Sequence, residues 1–153
     1  MLNAGDRAPD AQVQTMDGET VSLLAHAGTP AVIYFYPKDD TSGCTREAQD
    51  FTGLADAFAD IGVRVIGISR DTVRKHQSFV AKYGLKVELL SDEDGSACEA
   101  FGTWVEKSMY GRKYMGIERA TFLIGMDGEI ARVWRKVKVA GHAEDVLASA
   151  RAL

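Results

Sequence analysis

Residues 36–49, YPKDDTSGCTREAQ, set one thiol in a polar turn directly after a run of apolar β-formers. An idle cysteine more often sits in a core as a small hydrophobe, but Cys44 is flanked by Ser42, Gly43, Thr45 and charge. The turn leads into a helical pattern, which puts Cys44 at the first helical turn or one residue before it. Backbone N–H groups there lack intrahelical acceptors, and the helix dipole favours an anion. A free cysteine is only about 3% thiolate at neutral pH. A helix N-terminus and a nearby arginine raise that fraction, and the thiolate is the nucleophile. Thr41, three residues earlier, brings a hydroxyl to the same pocket if the loop curls into the helix, and a hydroxyl can both donate to and accept from a small polar substrate. Pro37 has no N–H and can wall the pocket without adding a donor. Gly43 lets backbone come close. Glu47, one turn on, can hold a basic partner by a charge-assisted hydrogen bond.

The elements that must position these residues follow from periodicity. AVIYFYP (31–37) is a buried-strand run stopped by Pro37, VRVIGIS (63–69) a second and VELLS (87–91) a third. ATFLIGMDGEIARVW (120–134) is a hairpin around Met-Asp-Gly, and TMDGETVSL (15–23) repeats that turn chemistry. Phe51, Leu54, Ala55, Phe58 and Ile61 make one face of a helix over 44–61, closed by Gly62. Asp71 is a candidate cap for a helix ending near Tyr83 and Gly84; shorter helices fit 96–101 and 142–152. Strand–helix–strand crossovers imply parallel pairing mid-sheet, and the closing hairpin adds antiparallel strands. The expectation is an α/β domain over 1–153 with a mixed sheet and helices on both faces. Ligands of such sheets bind outside the carboxyl ends of the strands, where 36–49 begins.

Composition narrows the function classes. The chain has 153 residues and a formal charge of −4 with acids and bases mixed. No basic run offers a phosphate-binding stripe, which argues against nucleic acid. No apolar stretch reaches the length of a bilayer span, and no secretory signal is visible, so cytoplasm is the default. The two cysteines, Cys44 and Cys98, do not make a disulfide framework in a reducing compartment. His26, His76 and His142 are scattered without metal-ligand spacing, so no metal is expected.

Pro37-x-x-x-Thr41-x-x-Cys44 resembles the P-x-x-x-T-x-x-C active-site motif of peroxiredoxins, and VIYFYPKDDTSGCTREAQDF is similar to the PrxQ, or bacterioferritin-comigratory-protein, subfamily. GDRAPD, DGETVSL, VIGISRD, LLSDEDG and YMGIERATFLIGMDGEI agree in order, so the resemblance covers essentially the whole chain. It implies a thioredoxin-like fold and thiol-dependent reduction of hydrogen peroxide or organic hydroperoxides. It also implies a partner that spacing could not find: Arg119, in GIERATFLI, 75 residues after Cys44. In the implied mechanism the Cys44 thiolate attacks one peroxide oxygen in line with the O–O bond. Arg119, the Cys44 N–H and the Thr41 hydroxyl stabilise the departing oxygen. Cys44 becomes a sulfenic acid, with no metal, haem or flavin required. Members of this type are often monomeric.

The sequence departs from the pattern at the resolving thiol. Many PrxQ proteins carry a second cysteine five residues after the first, where Gln49 stands here; others carry it on the next helix, and 71–83 has none. Ser42 replaces the usual proline before Gly-Cys. Cys98, in GSACEAFG, is the only other internal thiol and reads as a buried small residue. The expectation is a one-cysteine cycle resolved by an external thiol: thioredoxin, a glutaredoxin or a low-molecular-weight thiol. Plainer readings stand beside these. Thr41 could simply cap a turn, Glu47 could only complement the dipole, His76 could be a surface or half-packed residue, and SDEDG could be a solvated helix start. Trp104, Met109, Tyr110 and Tyr114 form either an apolar collar near the site or loop packing. Two other functions fit parts of the chain. A thiol–disulfide oxidoreductase would exchange with disulfides but not peroxide, and Thr41 stands where its first cysteine would be. A redox-sensing binding module would oxidise without turnover.

Overall fold

The computed structural model describes residues 1–153. In chain order the elements are β1 (Gln12–Gln14), β2 (Thr20–Ser22), α1 (Leu23–Ala27), β3 (Ala31–Phe35), α2 (Ser42–Gly53), α3 (Ala55–Asp60), β4 (Arg64–Ser69), α4 (Val73–Tyr83), β5 (Glu88–Ser91), α5 (Ser96–Ala100), β6 (Trp104–Met109), β7 (Arg112–Ile117), β8 (Ala120–Ile124), β9 (Ile130–Trp134) and α6 (His142–Arg151). Seven strands form one mixed sheet in the order β2-β1-β5-β4-β3-β8-β9. The helical crossovers make β3, β4 and β5 parallel, and β8–β9 adds the expected antiparallel hairpin. No helix is long and apolar enough to cross a membrane.

The continuous apolar run of β3 is explained by its place at the centre of the sheet, covered on both faces. Ala31, Ile33 and Phe35 point into one core with residues of α1 and α5. Val32, Tyr34 and Tyr36 point into the other, with Cys44, Phe51, Phe58, Phe79 and Val146. Burying each such large side chain is worth roughly 1.5–3 kcal/mol, so both faces are held firmly.

Four details differ from the sequence expectations. The 44–61 helix is two helices: α2 begins at Ser42 and stops at Gly53, where the Leu54 N–H turns to the Phe51 carbonyl at 3.1 Å. Gly53 weakens the helix there; Phe51 and Phe58 still enter the same core. The α4 cap is Thr72, whose hydroxyl accepts from the Lys75 N–H at 3.2 Å, and not Asp71. Residues 104–117 are not a loop but a two-stranded hairpin, β6–β7, turning at Tyr110-Gly111 with both φ angles positive, 51° and 78°. SDEDG does start a helix, but Asp92 is buried, and its carboxylate accepts from the Ala97 and Cys98 N–H groups at 3.0 and 2.8 Å.

Candidate active site

Residues 36–41 join the carboxyl end of β3 to α2. Thr41 takes the N-cap position with extended backbone, making Cys44 the third residue of the helix. The Thr45 N–H bonds the Thr41 carbonyl at 2.8 Å, while the N–H groups of Ser42, Gly43 and Cys44 donate to no protein acceptor. The Thr41 hydroxyl does not cap; it donates to the Lys38 carbonyl at 2.8 Å. Its hydrogen is thus committed, and what it offers a substrate is a lone pair. This corrects the expectation that Thr41 donates to a departing oxygen.

Cys44 is 2% exposed and packs at the edge of the second core. Its sulfur is not left in dry apolar surroundings, because Arg119 Nη2 donates to Sγ at 3.2 Å. Sheet register explains how a residue so distant arrives there. β8 pairs antiparallel with β3, and Ala120 lies opposite Phe35. Arg119 therefore stands beside the point where the chain leaves β3 for the Cys44 turn. Gly43 leaves room for the same approach: a Cβ there would lie 3.2 Å from Arg119 Nη2.

Glu47 holds the other arm of the fork. Arg119 Nη1 donates to Glu47 Oε1 at 2.7 Å. Glu47 is 1% exposed and its Oε2 has no partner; the Tyr34 hydroxyl is likewise buried and unpartnered. Burial pushes the Glu47 carboxyl up to about 7, against the opposing pull of Arg119. Burial, with Glu47 next, drives the Tyr34 phenol well above its usual range. His142 is pushed down to about 4 by burial, and its Nε2 lies 2.8 Å from the Thr121 hydroxyl.

Pro37 lines a cleft of about 390 Å³ together with Lys38, Arg70, Trp104, Lys107 and Tyr114. Two of the four collar candidates, Trp104 and Tyr114, thus share a cleft with Pro37. Met109 and Tyr110 lie at the hairpin tip, where Tyr110 is 99% exposed. Lys107 was not legible in the sequence. Burial and then Arg119 pull its ammonium below the usual range, with Cys44 opposing, and it lines the same cleft as Pro37.

Cys98 is buried in the core on the opposite face of the sheet from Cys44. Burial and then its hydrogen bond with Asp92 push its thiol far above the usual range. Gln49 is exposed on α2. His76 is a correction: it is fully buried, on the face of α4 that also carries Phe79. With Asp39 and Asp71 it brings three ligand-type atoms within 4.8 Å. Each carboxylate is already engaged, Asp71 by the Ser69 hydroxyl at 2.6 Å and the Asp39 N–H at 2.8 Å, and Asp39 by Tyr36 and His76. The cluster is therefore a closed hydrogen-bond network and not an open cation site.

A thiol at a helix start, ringed by unpaired N–H groups and touched by an oriented guanidinium, is built to attack and to stabilise charge on what leaves. The AhpC/TSA family model matches residues 4–133. Peroxiredoxin Bcp of Xanthomonas campestris is 48% identical over 143 residues, covering 94% of this chain and 89% of that protein. Peroxiredoxin Bcp of Escherichia coli is 44% identical over 146 residues, covering 95% and 94%. A solved structure of the X. campestris bacterioferritin comigratory protein, studied for its alkyl peroxide reduction activity, superposes with a TM-score of 0.89 at 45% identity over 98% of both chains. PrxQ of Xylella fastidiosa superposes with a TM-score of 0.91 at 40% identity, covering 99% and 97%. The fold is thioredoxin-like, and the chain belongs to the AhpC/TSA family, within its Bcp/PrxQ group of peroxiredoxins.

Proposed function

We propose that Cys44 is the peroxidatic thiol of a one-cysteine cycle, and that its reaction with peroxide is driven by Arg119. The observation that carries this is the 3.2 Å contact of Arg119 Nη2 with Cys44 Sγ beside three unpaired helix N–H groups. Guanidinium and amide dipoles favour negative charge on the sulfur. The sulfur attacks the terminal oxygen of the hydroperoxide. The S–O bond forms as the O–O bond breaks; sulfur is oxidised by two electrons to Cys44–SOH, and the other oxygen leaves as hydroxide or alkoxide. Arg119 and the Cys44 N–H hold that developing charge until solvent protonates it. The Thr41 lone pair accepts from the peroxide O–H and fixes the angle of attack. Pro37 and Gly43 shape the pocket, and Glu47 orients the guanidinium.

An external thiol then attacks the sulfenic sulfur and releases water, and a second thiol frees Cys44 from the mixed disulfide. Cys98 takes no part in this reading, because the sheet separates it from Cys44. The Trp104 and Tyr114 side of the cleft favours organic hydroperoxides alongside hydrogen peroxide. We place the cycle in the cytoplasm, in a monomer, with thioredoxin, glutaredoxin or a small thiol as reductant.

Rapid-mixing measurement of Cys44 oxidation by hydrogen peroxide tests the proposal. Native protein reacts far faster than free cysteine, Cys44→Ser does not react, and Arg119→Gln loses about a hundredfold or more, the scale of a lost oxyanion donor. Equal rates for native protein and free cysteine would refute it.

A further inference from the structure

We infer that Asp39 and His76 form a clamp by which helix α4 positions the Pro37–Thr41 segment for the peroxide step, an inference that rests on Cys44 being the peroxidatic thiol. His76 is 0% exposed, and both of its ring nitrogens meet acceptors: Nδ1 lies 2.6 Å from Asp39 Oδ2 and Nε2 lies 3.1 Å from the Leu90 carbonyl. A carbonyl only accepts, so Nε2 carries hydrogen, and one hydrogen lies between Nδ1 and the Asp39 carboxylate. The imidazole therefore bridges β5 to the active-site segment.

Asp39 is the midpoint of that segment and is held from three directions. Tyr36 donates to its Oδ1 at 2.6 Å, His76 meets its Oδ2, and its own N–H donates to Asp71 Oδ2 at 2.8 Å. Asp40, next along, has a left-handed backbone with φ 59°. Its carboxylate is bonded by Lys82 at 2.8 Å and by Tyr83, both from α4. Thr41 takes its orientation from the Lys38 carbonyl, so it inherits the placement of the residue pinned beside it. None of these α4 groups hydrogen-bonds the sulfur, whose side-chain donor is Arg119. They set where the Thr41 lone pair and the free N–H groups stand relative to it. Buried polar groups at this density fix one conformation when fully satisfied, and an ångström of misplacement costs a reacting geometry far more than it costs packing. Asp39 and His76 are positioning residues.

Two reactions of Cys44 separate positioning from general damage: oxidation by hydrogen peroxide, which needs the aligned pocket, and alkylation by iodoacetamide, which needs only an accessible thiolate. His76→Leu removes both ring nitrogens, while His76→Gln keeps a side-chain amide that can hydrogen-bond in their place. We expect His76→Leu and Asp39→Asn to slow peroxide oxidation by roughly ten- to a hundredfold, with alkylation unchanged or faster, and His76→Gln to recover most of the peroxide rate. If His76→Leu fails to fold, Asp39→Asn against His76→Gln carries the same comparison. Peroxide rates in Asp39→Asn and the His76 variants within about threefold of native overturn the clamp, as does a parallel fall of both reactions that glutamine does not rescue. Native Cys44 reacting with peroxide no faster than free cysteine removes the underlying reading, and the clamp with it.

Discussion

Arg119 shares one guanidinium between a sulfur and a buried carboxylate, and that division gives each residue a measurable signature. Removing Arg119 does two things. It takes the donor from Cys44, and it leaves Glu47 buried with neither oxygen paired. The second effect costs stability, so separating the rate effect from it requires a double variant. Arg119→Gln should lose about 2 kcal/mol at pH 8 in denaturant unfolding, within the range for an orphaned buried polar group. Arg119→Gln with Glu47→Gln should recover that stability while peroxide oxidation stays slow. Recovery of both would mean that Arg119 serves the fold alone.

The pH dependence of stability follows from Glu47 and His142. Glu47 titrates near 7 in the folded chain against an ordinary 4.5, because burial disfavours its charge. Between those values the native state binds more protons than the unfolded state. Stability is therefore lost as pH rises through that window, by something on the order of 3 kcal/mol, with the full loss above about 7. His142 titrates near 4 against 6.5, again through burial. There the unfolded state binds more protons, and stability is gained as pH rises from about 4 to 6.5, by a similar amount. The two effects oppose across their shared range. Glu47→Gln should uncover the His142 effect, so that unfolding free energy rises with pH between about 4 and 6.5. A variant curve that simply parallels the native one would contradict this.

At the scale of elements, the site is the meeting of the β3 exit, the first turn of α2 and the residue before β8. Gly43 marks that meeting. Its backbone is helical, so alanine should suit α2 or stabilise it by up to about 1 kcal/mol. The added Cβ, however, would stand 3.2 Å from Arg119 Nη2. Gly43→Ala should therefore hold or raise the melting temperature while slowing peroxide oxidation by about tenfold; an unchanged rate would show that Arg119 has room to give. The α2 start was readable because the apolar run, Pro37 and the Thr41–Cys44 spacing are local signals. Arg119 was legible only through resemblance, since strand register is not written near it. β6–β7 escaped because most of its residues face solvent on both sides, leaving no alternation to read. His76 had a signal that could have been used, three residues before Phe79 on the packed face of α4. Its partner Asp39 lies 37 residues away, beyond any local pattern.

For the whole molecule, the central sheet separates two cores, and each holds one of the two thiols. That separation was not legible in the sequence, which identifies Cys98 as buried without saying on which face. It assigns the thiols different fates. Cys98→Ala should cost about 1 kcal/mol for the lost packing and leave steady-state turnover with an external thiol unchanged; a loss of turnover would mean that the sheet opens far enough to make Cys98 the resolving thiol. The most direct test of the central claim is mass spectrometry of both thiols after one equivalent of hydrogen peroxide in the absence of reductant. The prediction is one added oxygen on Cys44, trapped as a sulfenic acid, with Cys98 still reduced. Oxidation shared equally between the two cysteines, or a bridge joining them, would contradict it.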